Sequence, residues 1–284
     1  MKPNFLVIGA AKAGTTWLYS CLYEHPEIYL PDIKELHFFS YESVYQKGFD
    51  WYESNFSDVT VEKAVGEISP SYLPLKSTAE RIYNYNPDMR LIVILRNPID
   101  RAYSHYCMAM RTNKVEKNID KGLSLNSPYV QWGLYHEQIT RFMELFPKSQ
   151  IKVLLFDDIK LKPKSLLKDV YSYLNVDTSF LSKSALQVKN PKRSMPKYPK
   201  LYKSLKRIYD NVSVNSDVAN KMLTQLRYRG YFDLFHRLNK GSSFPKLSAK
   251  KKKKLVDFYD RDISELSKVI DKDLSFWLKP ETVN

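Results

Sequence analysis

Gly9-Ala10-Ala11-Lys12-Ala13-Gly14-Thr15-Thr16 follows a short apolar run and opens a helix-like segment. Backbone N–H groups at a helix start attract anions, and glycine lets a phosphate approach the main chain. The two glycines have the spacing of a Walker A loop, which would read G-x-x-x-x-G-K-[ST]. Here Thr15 stands where that lysine would follow, and Lys12 lies two residues before Gly14. The expectation is an anion-binding loop that departs from the magnesium–nucleotide pattern; the bland alternative is a tight strand-to-helix turn. A second cluster is Arg96-Asn97-Pro98 followed by Ser104. An arginine at the end of a buried strand is costly unless an anion meets it, and Ser104, eight residues on, can face the same pocket two helical turns later. Arg96 or Arg101 pairing with Asp100 or another surface acid is the competing reading. The third is Lys34-Glu35-Leu36-His37-Phe38-Phe39. Glu35 and His37, two apart, share a side of an extended segment, and a carboxylate beside an imidazole suits general-base chemistry. Surface charge is the alternative there.

These clusters need elements to hold them. Phe5–Ile8, Ala64–Glu67, Leu91–Leu95 and Ile151–Phe156 read as strands buried on both faces. Helices are expected from Thr15 to Leu22, Pro98 to Arg111, Leu134 to Phe146, Lys164 to Leu174 and Ser248 to Ile270. Alternating apolar strands and helices predict an α/β fold, a parallel central sheet flanked by helices. Ligands of such folds bind at the carboxyl ends of the strands, where the first two clusters fall. Residues 113–128 and 185–200 read as polar excursions. We expect one domain over residues 1–284, with the basic, helical part 185–284 completing the site.

The 284 residues carry 45 Lys+Arg against 31 Asp+Glu, a formal charge of +14. Ala185 to Lys254 holds 19 of those bases and three acids, Asp210, Asp217 and Asp233. Such a region could face nucleic acid, an anionic membrane, an acidic polymer or a small polyanion. Hydrophobic residues at 43% exclude a disordered or fibrous chain. The longest apolar runs are far short of the ~20 residues a membrane span needs, so no stable membrane insertion is expected. Met1–Asn4 leads straight into the first strand without a signal-peptide pattern, and a cytoplasmic protein is the expectation. Cys21 and Cys107 read as buried thiols. His25, His105, His136 and His236 lack metal-ligand spacing, and no metal is expected.

Taken together, the three clusters resemble the sulfotransferases that use 3′-phosphoadenosine 5′-phosphosulfate (PAPS). Lys12-x-Gly14-Thr15-Thr16 is similar to their 5′-phosphosulfate loop, and Arg96-Asn97-Pro98 through Ser104 to their 3′-phosphate site. Lys34–Phe39, followed by Lys47-Gly48-Phe49-Asp50-Trp51-Tyr52, resembles the heparan sulfate N- and O-sulfotransferase branch. Gly66-Glu67-x-Ser69-Pro70-x-Tyr72, Gly133-x-Tyr135, Phe146-Pro147, Asn239-Lys240-Gly241 and Phe276-Trp277-Leu278 extend the likeness over nearly the whole chain. Ile68 stands where the 3-O enzymes often carry lysine.

The resemblance implies a P-loop-like sulfotransferase architecture and in-line sulfuryl transfer, releasing adenosine 3′,5′-bisphosphate without a metal. It implies Lys12 at the bridging oxygen, with Ala13, Gly14, Thr15, Thr16 and Trp17 along the cofactor loop, although Trp17 by type alone suits helix packing. Arg96 and Ser104 would take the 3′-phosphate, and Lys240 and Gly241 would close over the cofactor. Glu35 would be the base, with His37 orienting the acceptor. Glu67 is a competing base or acceptor-side residue, and Tyr72 and Tyr135 are the aromatics expected to meet the acceptor, a saccharide or small metabolite. Two other functions stay open at this point. A P-loop kinase with an altered loop would require magnesium and ATP. A nucleic-acid-binding protein would bind through residues 185–254 with steep salt dependence, but no recognition motif for nucleic acid supports it.

Overall fold

The computed structural model describes residues 2–111, 115, 118–186, 194–215 and 238–279. Five parallel strands, β1 (Phe5–Gly9), β2 (Ile28–Tyr29), β3 (Ala64–Ile68), β4 (Arg90–Leu95) and β5 (Ile151–Leu155), form one sheet in the order β2-β3-β1-β4-β5. Every residue of β1 and β3 is buried, as are all of β4 but Arg90. The uninterrupted apolar runs are therefore a consequence of helices covering both faces. Each fully buried Leu, Ile, Val or Phe contributes about 1.5–3 kcal/mol of transfer free energy. Gly66 lies against Phe5, where a Cβ would come 2.2 Å from the Phe5 carbonyl oxygen; the close packing of β3 on β1 requires glycine there.

The helices are α1 (Thr15–Tyr23), α2 (Glu42–Tyr45), α3 (Gly48–Ser54), α4 (Thr78–Tyr85), α5 (Pro98–Arg111), α6 (Ile119–Gly122), α7 (Pro128–Gln131), α8 (Tyr135–Met143), α9 (Phe156–Leu161), α10 (Pro163–Leu174), α11 (Pro199–Asn215) and α12 (Ala249–Ile270). Asn97 starts α5 by accepting from Ile99 N–H at 3.0 Å, while its amide donates to the Trp277 carbonyl at 2.9 Å. That bond joins the C-terminal Phe276-Trp277-Leu278 turn to the end of β4.

Three expectations needed adjustment. Helix α8 begins at Tyr135 and ends at Met143, short of Phe146; its start is set by Asp262 of α12, whose carboxylate accepts from Tyr135 N–H (2.9 Å) and His136 N–H (3.1 Å). Phe156 leaves the strand to open α9. Within the excursions, α6, α7 and a 3-10 turn at Lys183–Leu186 are formed, whereas residues 112–114, 116–117 and 187–193 lie outside the described residues. Helix α11 lies within the part expected to be basic and helical, although no bounds were drawn for it. His236 also lies outside the described residues.

Candidate active site

The loop after β1 ends in Gly14, the cap of α1, at φ +97°, and Lys12 before it is also left-handed at φ +70°. L side chains avoid that region, and a Cβ at Gly14 would meet Ile159 Cδ1 at 2.7 Å. No side chain caps α1, so its first N–H groups face the turn as an anion site. Thr15 is buried and Thr16 exposed. Lys12 reaches over α5, with Nζ 3.5 Å from Met108 Sδ.

The loop after β4 meets this turn. Arg96 Nη1 donates to the Lys12 carbonyl at 3.1 Å, and its guanidinium stacks on Phe156 at 4.6 Å. Burial pulls its pKa down, while Asp100, Tyr135 and Asp157 oppose that. Two of the three clusters, 84 residues apart in sequence, are thus joined by a hydrogen bond. Arg96 Nε and Trp17 Nε1 are buried donors with no partner among the described residues. A cation, an indole N–H and a helix start around one glycine-permitted turn fit a polyanionic ligand. Ser104 is half-buried on α5. Its neighbour Tyr103 donates to the Pro245 carbonyl at 2.8 Å, tying α5 to the loop that carries Lys240 and Gly241. That loop is held by Gly241 N–H to Met195 O and Met195 N–H to Ser242 O, both 2.9 Å, and Lys240 is exposed.

Glu35 and His37 lie in a left-handed double kink, at φ +70° and +58°. Glu35 is paired with Lys34, and His37 Nε2 lies 3.8 Å from Glu35 Oε2. The end of β3 holds the kink from beneath: Ser69 Oγ accepts from His37 N–H at 3.2 Å, and Ser71 Oγ bonds His37 Nδ1 at 2.8 Å. Burial lowers the His37 pKa against the opposing pull of Glu35, which favours the neutral ring.

Glu67 is the deeper carboxylate. It is 1% exposed and accepts from Tyr52 Oη (3.1 Å), Ser69 Oγ (2.7 Å), Tyr72 Oη and the backbone N–H of Leu36. Burial raises its pKa despite those donors. Its expected acceptor-facing position is therefore corrected: it lies under the Glu35–His37 kink, with its oxygens occupied by protein donors. Tyr72 and Tyr135 are corrected likewise, both being fully buried. Tyr72 serves Glu67, and Tyr135 Oη donates to the Arg96 carbonyl at 2.9 Å, its own pKa pushed up to about 12 by burial. Neither ring is open to an acceptor.

Arg101, one of the alternatives for Asp100, is instead fully buried, donating to the Tyr129 carbonyl and facing His105 Nδ1 at 3.4 Å. Burial and the cations Arg101 and Lys12 push His105 down to about 3. Cys21 and Cys107 are both buried free thiols. Sequence reasoning named Ser69 only within a motif and gave no role to Ser69, Ser71 or the Phe156 floor. The Ser-x-Ser pattern after β3 was the one available signal for the serines.

The family model for the sulfotransferase domain matches residues 2–277. The chain belongs to the sulfotransferase domain family. The chain is similar to human heparan sulfate glucosamine 3-O-sulfotransferase 5, 30% identical over 186 residues, covering 61% of this chain and 54% of that protein. It is also similar to mouse bifunctional heparan sulfate N-deacetylase/N-sulfotransferase 4, 31% identical over 207 residues, covering 65% of this chain and 23% of that one. The chain thus spans about half the length of the first relative and a quarter of the second. Among solved structures, a sulfotransferase from Alicyclobacillus acidocaldarius superposes with a TM-score of 0.73 at 26% identity, over 98% of this chain and 100% of that one. The parallel sheet and flanking helices of this chain are those of the family fold. Among its described residues, no helix is long and apolar enough to cross a membrane.

Proposed function

We propose that this sulfotransferase moves the sulfuryl group of PAPS onto a hydroxyl or amine of a saccharide or small metabolite. The observation that carries the reading is the Arg96–Lys12 hydrogen bond, which joins a cation after β4 to an anion-binding turn after β1. Gly14, Thr15 and Thr16 hold the 5′-phosphate end through N–H and hydroxyl groups, and Trp17 offers its unpartnered indole N–H nearby. Arg96 and Ser104 take the 3′-phosphate, and Lys240 and Gly241 cover the cofactor. PAPS supplies a sulfuryl group already activated as a phosphosulfate anhydride.

The protein's own work is positioning and charge stabilisation. Lys12 neutralises charge developing on the leaving phosphate oxygen. Glu35 removes the acceptor proton, and His37 orients the acceptor beside it. Glu67 positions this base by holding the Leu36 N–H between two left-handed residues. Lys12, Arg96 and the α1 start supply the positive charge, so the reaction should proceed in chelator. Relatives named for heparan sulfate support a saccharide acceptor.

A screen of saccharide and metabolite acceptors with labelled PAPS tests the reading. Lys12→Ala is expected to lower turnover about 10²–10³-fold and Glu35→Gln about 10²–10⁴-fold. Near-normal turnover of Glu35→Gln with the true acceptor would overturn the base assignment.

A further inference from the structure

The positive charge of residues 185–254 far exceeds what Lys240 can use at the site, and part of it lies on α11 and its lead-in. Thirteen large apolar side chains are exposed among the described residues, and four of them fall within eleven positions. These are Tyr198 (54% exposed), Leu201 (50%), Leu205 (43%) and Ile208 (59%). Leu201, Leu205 and Ile208 are four and three residues apart and share one helix face. That face is not the one turned to the protein, because Tyr202 stacks under the Arg111 guanidinium at 5.0 Å. Lys197, Lys200, Lys203 and Arg207 are all exposed around it. The next loop adds exposed Leu238, Lys240 and Lys246.

We propose that the Tyr198–Ile208 face docks this enzyme on an anionic lipid surface. A basic helix with a bare apolar stripe lies in the plane of a membrane interface, its apolar side chains at the acyl boundary and its cations at the headgroups. The charge selects this occupant. A second copy of the chain would press Lys200, Lys203 and Arg207 against their own counterparts. An acidic polymer would meet the lysines but leave Leu201, Leu205 and Ile208 in contact with charge and water. An anionic bilayer satisfies both sets. The face starts three residues after Met195, whose carbonyl holds Gly241 N–H, so docking brings the membrane to the rim of the Lys240–Gly241 loop.

Flotation of the full chain with lipid vesicles tests this. Binding is expected to vesicles of phosphatidylcholine mixed with phosphatidylglycerol and to be weak for phosphatidylcholine alone. The triple variant Leu201→Ser, Leu205→Ser, Ile208→Ser keeps the net charge and should bind at least about tenfold more weakly. Lys200→Gln with Lys203→Gln and Arg207→Gln should lose roughly a hundredfold, about fivefold per cation. Circular dichroism melting confirms that both variants fold, whether or not a bisphosphate binds. Unchanged vesicle binding by the apolar triple variant overturns the proposal. So does heparin-fragment binding without vesicle binding, or a dimer that the triple variant dissociates in the absence of any flotation.

Discussion

Glu35 and Glu67 are two carboxylates placed in opposite surroundings by one short turn. Glu35 has a side chain 41% exposed, beside Lys34 and His37, whereas Glu67 is sealed beneath it. Pairs of acids separated by environment in this way divide their roles, and of these two only Glu35 is open to solvent. Glu67→Gln keeps the shape but replaces an acceptor oxygen with a donor facing tyrosine and Leu36 N–H groups. It should cost about 1–3 kcal/mol in chemical denaturation. It should also lower kcat while the affinity for adenosine 3′,5′-bisphosphate stays unchanged. Equal loss of bisphosphate affinity would contradict a role confined to positioning the base. The sequence placed Glu67 at the end of a strand, which suggested a ligand-facing side chain. Its burial depends on Tyr52 and Tyr72 arriving from separate elements, and no local pattern encodes that meeting.

Strands β1 and β4 were readable because a strand covered on both faces must be apolar throughout, as Phe5–Ile8 and Leu91–Leu95 are. The turn after β1 was readable too, because Gly14 is required by a positive φ and by the proximity of Ile159. Long-range caps were not. The start of α8, expected at Leu134 and found at Tyr135, is held by Asp262, 127 residues away, so the cap itself had no local signal. The kink at Glu35 and His37 was missed for the same reason: its left-handed residues are held by Ser69 and Ser71. Helix α11 was given no bounds within the helical part 185–284 because its apolar stripe is set among lysines. Asp262 also gives this scale its test. Burial, opposed by the Tyr135 and His136 N–H groups, raises its pKa from 3.8 to about 6. Within that window the unfolded chain is ionised while the folded one keeps its proton, so the contribution of Asp262 falls as pH rises and levels off above about 6. Asp262→Asn retains a capping oxygen without the titration. The stability of the wild type relative to this variant, measured by urea unfolding, should decline with pH across that window and be flat above it.

At the scale of the molecule, the charge of +14 divides between two tasks. Lys12 and Arg96 serve the crevice at the carboxyl edge of β1 and β4, where the sheet order reverses and α/β folds bind ligands. The exposed cations of α11 serve a surface instead. In the proposed function this crevice, a turn without the Walker lysine completed by a distant arginine, recognises a nucleotide phosphorylated at both the 3′ and 5′ positions. Calorimetric titration of the full chain with adenosine 3′,5′-bisphosphate in the presence of chelator measures that recognition without needing the acceptor. One site per chain is expected, with at least about tenfold weaker binding of adenosine 5′-phosphate and a comparable loss in Arg96→Ala through the charged hydrogen bond. Failure to bind the bisphosphate, with magnesium-dependent binding of ATP in its place, would contradict it.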